Sequence, residues 1–167
     1  ANAGDFALAS GTTCINGATL AAGANCVLNL TFTPTAASAR TATVTITDDA
    51  ADSPQSVSLA GTGIAPAVTL APTNLTFGTQ RVSTPSPVQT VTLTNSGTAP
   101  LSIATAVLGG ANAGDFALAS GTTCINGATL AAGANCVLNL TFTPTAASAR
   151  TATVTITDDA AGSPQSV

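Results

Sequence analysis

Residues 1–57 recur at 111–167 with a single difference, Asp52 in the first copy and Gly162 in the second. The offset is 110 residues, so the chain spans one and a half copies of a unit of that length. Solenoid repeats run to roughly 20–50 residues and cannot bury a core singly. A period this long is that of one small domain per unit, strung in series. The phase of the copies then decides which parts of that domain are present.

The best border is Gly61-Thr-Gly-Ile-Ala-Pro66, where two glycines and a proline interrupt an alternating pattern. Residues 1–63 read as the C-terminal half of a preceding repeat plus linker. Residues 64–167 read as a nearly complete repeat without a counterpart of Ser58–Gly63, its last strand. Gly109-Gly110 is a turn inside the domain. Residue 1 falls within the repeated part, so no leader peptide is read there. On this phase there are two rear halves, 1–57 and 111–167, but one front half, 66–108. Half a sandwich leaves a sheet's inner face and strand edges uncovered. Two rear halves and one front half cannot close among identical chains. Either these residues belong to a longer chain, or each copy borrows strands from a neighbour in an open head-to-tail polymer. A compact, self-contained body formed by 1–57 would speak against the polymer.

Apolar residues alternate with period two, and β-branched residues are frequent. Ala149–Thr157 sets Ala152, Val154 and Ile156 on one face and threonines on the other; its copy is Ala39–Thr47. Further strands are expected at Val137–Thr143, Ala67–Leu70, Asn74–Phe77, Val88–Thr94, Leu101–Leu108 and Gln55–Ala60. Turns fall at Asn95-Ser-Gly97, Asn126-Gly127 and Ala132-Gly133. Ala111–Leu118 can form one short helical turn. The expected fold is all-β, an immunoglobulin-like β-sandwich in tandem repeats of about 110 residues. Phe77, Phe116 and Phe142 are the largest candidate core residues, each worth roughly 1.5–3 kcal/mol on burial.

Composition removes most chemistries. Hydrophobic residues make up 45% and charged residues 6%, with three Arg, seven Asp and a net charge of −4. There is no Lys, Glu, His, Met, Trp or Tyr. Histidine acid–base catalysis and lysine Schiff bases are therefore impossible, no base exists for a Ser–His pair, and no catalytic residue is assigned. Three cations give no footprint for nucleic acid. No apolar run is long enough to span a bilayer. No cofactor, small-molecule substrate or metal is expected.

Cys14 and Cys26 repeat as Cys124 and Cys136, eleven residues apart in each copy. Pairing within each copy is expected, because every unit of an array must be self-sufficient. Such a bridge contributes on the order of 3 kcal/mol in the chain-entropy account. Zinc is the rival reading, but two thiolates per copy without histidine make a poor tetrahedral site; free thiols are the third. Disulfides imply secretion or the cell surface.

Other features carry less. Asp158-Asp159, and Asp48-Asp49 with Asp52, could offer oxygen ligands to Ca²⁺, but a solvated turn is commoner and Gly162 breaks the repetition. Gly61-Thr-Gly63 opens no helix and is no dinucleotide fingerprint. Asn29, Asn74 and Asn139 sit in Asn-X-Thr sequons, which matter in a glycosylating host. The threonine rows at 41, 43, 45 and 47 could order water as an ice-binding face does; outward threonine on a strand is the commoner reading.

One ordered series of motifs resembles a known family. It runs Asn74-Leu-Thr-Phe-Gly78, Val91-Thr-Leu-Thr-Asn-Ser-Gly97, Gly114-Asp-Phe116, Cys124, Leu130-Ala-Ala-Gly133, Cys136 and Phe142-Thr-Pro144. The series is similar to the bacterial choice-of-anchor D repeat, related to the ASPM–SPD-2–Hydin (ASH) immunoglobulin-like domains. The resemblance implies a sandwich of seven to eight strands, often in tandem, in large exported bacterial proteins. Eukaryotic relatives serve as structural or docking modules in cilia and centrosomes. The paired cysteines suit the exported branch, and the family has no catalytic residues to carry over. The expected function is a structural repeat of an extracellular filament, fibre or surface stalk, with other copies of itself as partner. The alternative is an adhesin stalk or binding module that displays a distal domain.

Overall fold

A computed structural model describes residues 1–167, which divide into two compact units, Ala1–Ile64 and Ala65–Val167.

The first unit contains a 3-10 turn at Ala3–Asp5 and four strands: β1 (Phe6–Leu8), β2 (Leu30–Phe32), β3 (Ala39–Ile46) and β4 (Gln55–Thr62). They form two separate antiparallel pairs. Strand β1 lies against β2 with Phe6 opposite Phe32. Strand β3 lies against β4 in unbroken register from Ala39↔Thr62 to Ile46↔Gln55. Only Asp5, Ala42 and Gly63 are buried. This unit has ladders and little buried apolar surface.

The second unit is a sandwich. Its strands are β5 (Val68–Ala71), β6 (Gln89–Asn95), β7 (Leu101–Gly109), β8 (Phe116–Leu118), β9 (Thr129–Leu130), β10 (Asn135–Phe142), β11 (Thr153–Asp158) and β12 (Gln165–Ser166). One sheet runs β5-β6-β10-β8, the other β12-β11-β7-β9. Alternation aims Val91 and Leu93 of β6 and Leu138 and Leu140 of β10 at Leu101 and Ile103 of β7 and Val154 and Ile156 of β11. All eight are at most 3% exposed, which defines the core. The all-β sandwich expected from the alternation is the observed fold.

Several local expectations need correction. Asn74–Phe77 joins no ladder, although Leu75 and Phe77 pack against the core. Ala149–Ala152 is not strand, whereas its copy Ala39–Ala42 is. The copies share these residues, so the neighbour available to pair makes the difference. The same cause shortens β2: β10 has β6 on one side and β8 on the other, while β2 has β1 alone. Strands β8 and β9 have only three and two residues, too short to show a period. The short helical turn falls at Ala113–Asp115.

Candidate functional site

Each cysteine pair is joined within its own copy, Cys14 to Cys26 and Cys124 to Cys136, with Cα atoms 5.1 Å apart in both. None is free. Cys124 and Cys136 lie in the sandwich core, whereas Cys14 and Cys26 are half-buried. The loop between Cys124 and Cys136 turns at Gly127 and Gly133, both at left-handed φ, +82° and +78°. Asn95 holds that loop to the first sheet. Its fully buried amide donates to the carbonyls of Ala99 (2.8 Å), Leu130 (3.0 Å) and Ala131 (3.2 Å). Its Oδ1 accepts from the Gly97 N–H at 3.1 Å. The Asn95-Ser-Gly97 signal marks the turn, but nothing in it shows that the amide points inward.

The carboxylates are tied to structure. In the first unit the guanidinium of Arg40 donates to Asp5, and the Thr35 hydroxyl donates to the same carboxylate at 2.8 Å. The hydrogen bond from Arg40 is the main cause that holds the Asp5 carboxyl below the usual carboxylate range, against its desolvation; Thr35 adds to it. The copy repeats the ion pair, Asp115 to Arg150 at 3.1 Å. Neither pair was visible in the sequence, since each joins residues 35 apart. Asp158 Oδ1 accepts from the Ala160 N–H and closes a turn, whereas Asp159 Oδ1 accepts from the Ser102 N–H and ties the loop after β11 to the start of β7. In the first copy Asp48 does likewise with Ala50. The sequon residues Asn29 and Asn139 each donate to a loop carbonyl, Ser10 and Ser120, at 3.1 Å. Thr41, Thr43 and Thr45 face solvent.

Two apolar surfaces remain open. In the first unit, several apolar side chains are more exposed than their copies in the second. Leu30 and Phe32 are each 37% exposed, against 3% and 8% for their copies Leu140 and Phe142. Leu20 is 50% exposed and its copy Leu130 is 8%. In the second unit, a groove of about 690 Å³ lies between Leu75–Gln80 and Ala146–Ala152. Its floor is Phe77, Phe116 and Phe142, whose ring centroids are 4.8–5.8 Å apart, with Leu140 and Val154 beside them. This groove was not foreseen, although its two walls are segments read as strands.

A family model described as abnormal spindle-like microcephaly-associated, ASPM-SPD-2-Hydin (ASH), matches residues 66–166, from just before β5 to the end of β12. The chain belongs to the ASH family. No curated protein matches it. ASH domains are immunoglobulin-like and non-catalytic as a family. The Asn95 hub, the Cys124–Cys136 bridge, the phenylalanine cluster and the groove all lie within the ASH match. No helix is long and apolar enough to cross a membrane.

Proposed function

We propose that this chain is a non-catalytic structural module of an extracellular filament, fibre or surface stalk, in which near-identical ASH domains associate with one another. The observation that carries the reading is the recurrence of residues 1–57 at 111–167 with a single change. A protein that repeats such a segment almost without change offers the same contact at every junction, which suits linear assembly. The two disulfides support an oxidising compartment, hence export. The chain falls, on this reading, in the bacterial choice-of-anchor D branch of the family.

Electron microscopy of the purified protein tests the proposal. Regular filaments formed by this chain alone are the expected result. Isolated rods that need a second protein would overturn it and favour the adhesin-stalk alternative.

A further inference from the structure

Asn-X-Thr sequences occur at Asn29, Asn74 and Asn139, and the fold treats them unequally. Such a sequence accepts an N-linked sugar where its asparagine stands at the surface of an exported protein. Asn139 lies inside β10, which has β6 on one side and β8 on the other. Its Nδ2 donates to the Ser120 carbonyl at 3.1 Å, and its Oδ1 accepts from the Thr90 hydroxyl at 2.8 Å. A Cβ on Gly121 would stand 3.1 Å from that same Nδ2, so the turn closes over the amide. Asn29 repeats the arrangement, with Nδ2 on the Ser10 carbonyl at 3.1 Å and Gly11 beside it. Both asparagines are half-buried. Asn74 differs. It follows β5 by two residues and is exposed, as is Thr76. Leu75 and Phe77 pack against the core, so alternation turns Asn74 and Thr76 outward. This holds whatever pairs along the segment, because pairing runs within a sheet and side chains stand across it. Leu75 at the middle position is not proline, as an acceptor sequence requires.

We infer that Asn74 is the N-glycosylation site of the folded chain, with an oligosaccharide carried on a lipid diphosphate as donor. In the transfer, Nδ2 of Asn74 attacks the anomeric carbon of the sugar. The new N–C bond forms as the C–O bond to the diphosphate breaks; the lipid diphosphate leaves, and the amide releases one proton to the medium. An exposed amide meets a transferase directly. Asn139 must first give up two hydrogen bonds within a paired strand, and Asn29 one. Composition gives the sugar a purpose. Only 6% of the residues are charged and 45% are hydrophobic. Surfaces kept soluble by charge carry about 25–35% charged residues. A glycan at Asn74 supplies hydration that charges do not supply here. The inference rests on export, which the disulfides support, and not on self-association.

The test incubates the full, disulfide-bonded chain with a purified oligosaccharyltransferase and an oligosaccharide linked to a lipid diphosphate. Intact mass is read first, then tryptic glycopeptides. Cleavage after Arg40, Arg81 and Arg150 puts each acceptor sequence in its own peptide, 1–40, 41–81 and 82–150. One glycan, on 41–81, is the expected result, with occupancy exceeding that of 82–150 by about tenfold or more. Asn74→Gln and Thr76→Ala should each abolish it while the amides of β6 and β10 keep their protection from hydrogen exchange. The reduced, denatured chain should accept on all three peptides, since the fold and not the local sequence makes the choice. A folded chain that stays unmodified, or that carries as much glycan on 82–150 as on 41–81, would overturn the inference. A denatured chain that still accepts at Asn74 alone would overturn the selection by the fold. The same peptide map of the protein purified from its source completes the test: a glycan on 41–81 supports the assignment, and a bare 41–81 overturns it.

Discussion

Asn95 is the residue on which the second unit's loops converge. Removing its amide leaves three carbonyls and an N–H without their partner in a buried site, each loss costing about 1 kcal/mol or more. Asn95→Ala should therefore destabilise the second unit by about 2–4 kcal/mol in chemical denaturation, with little effect on the first. The two copies of one phenylalanine offer a sharper contrast. Phe142→Ala removes a ring 8% exposed among two others and should cost about 3–4 kcal/mol; Phe32→Ala, at 37% exposure, should cost well under half of that in the monomer. The bridges differ in the same sense. Cys124–Cys136 lies in the core and Cys14–Cys26 does not, so mild thiol treatment followed by alkylation and peptide mapping should open Cys14–Cys26 first. Asp5 adds a pH dependence. Its carboxyl is held below the usual range, so the stabilisation is present above the ordinary carboxylate value and fades as pH falls through the lowered one. The Arg40 side-chain N–H signal should stay sharp through the ordinary carboxylate range and be lost only as pH falls below it, and Asp5→Asn should abolish that step.

At the scale of elements, identical sequence adopts different structure according to its neighbours. Ala39–Ala42 is strand because Leu59–Thr62 lies beside it; Ala149–Ala152 is not. Alternation therefore identified β3, β4, β6, β7 and β10 from the residues alone, since each has a partner along most of its length. It overstated Asn74–Phe77 and the start of β11, where the pattern is present and the partner is absent. It missed β8 and β9, too short for a period to register. A chain extended beyond Val167 by Ser-Leu-Ala-Gly-Thr-Gly gives the second unit the strand that β4 gives the first. Its unfolding midpoint should rise by about 4 °C or more, as one extra kcal/mol does in a domain of this size. An unchanged midpoint would mean that the walls of the groove do not need a strand between them.

For the whole molecule, the decisive asymmetry is between ladders with a core and ladders without one. The recurrence of residues 1–57 at 111–167 and the alternation that makes the sandwich were legible in the sequence. The Asp–Arg pairs, the inward amide of Asn95 and the groove were not, because each joins residues far apart in the chain and depends on which faces meet. The account stands on the first unit having ladders with little buried apolar surface, whereas the second has a packed core. Native-state hydrogen exchange on dilute monomer measures this directly. Amides of β6, β7, β10 and β11 should be protected to near the free energy of global unfolding, and those of β2, β3 and β4 should exchange faster by orders of magnitude. Equal protection in β3 and β11, which share their sequence, would contradict it.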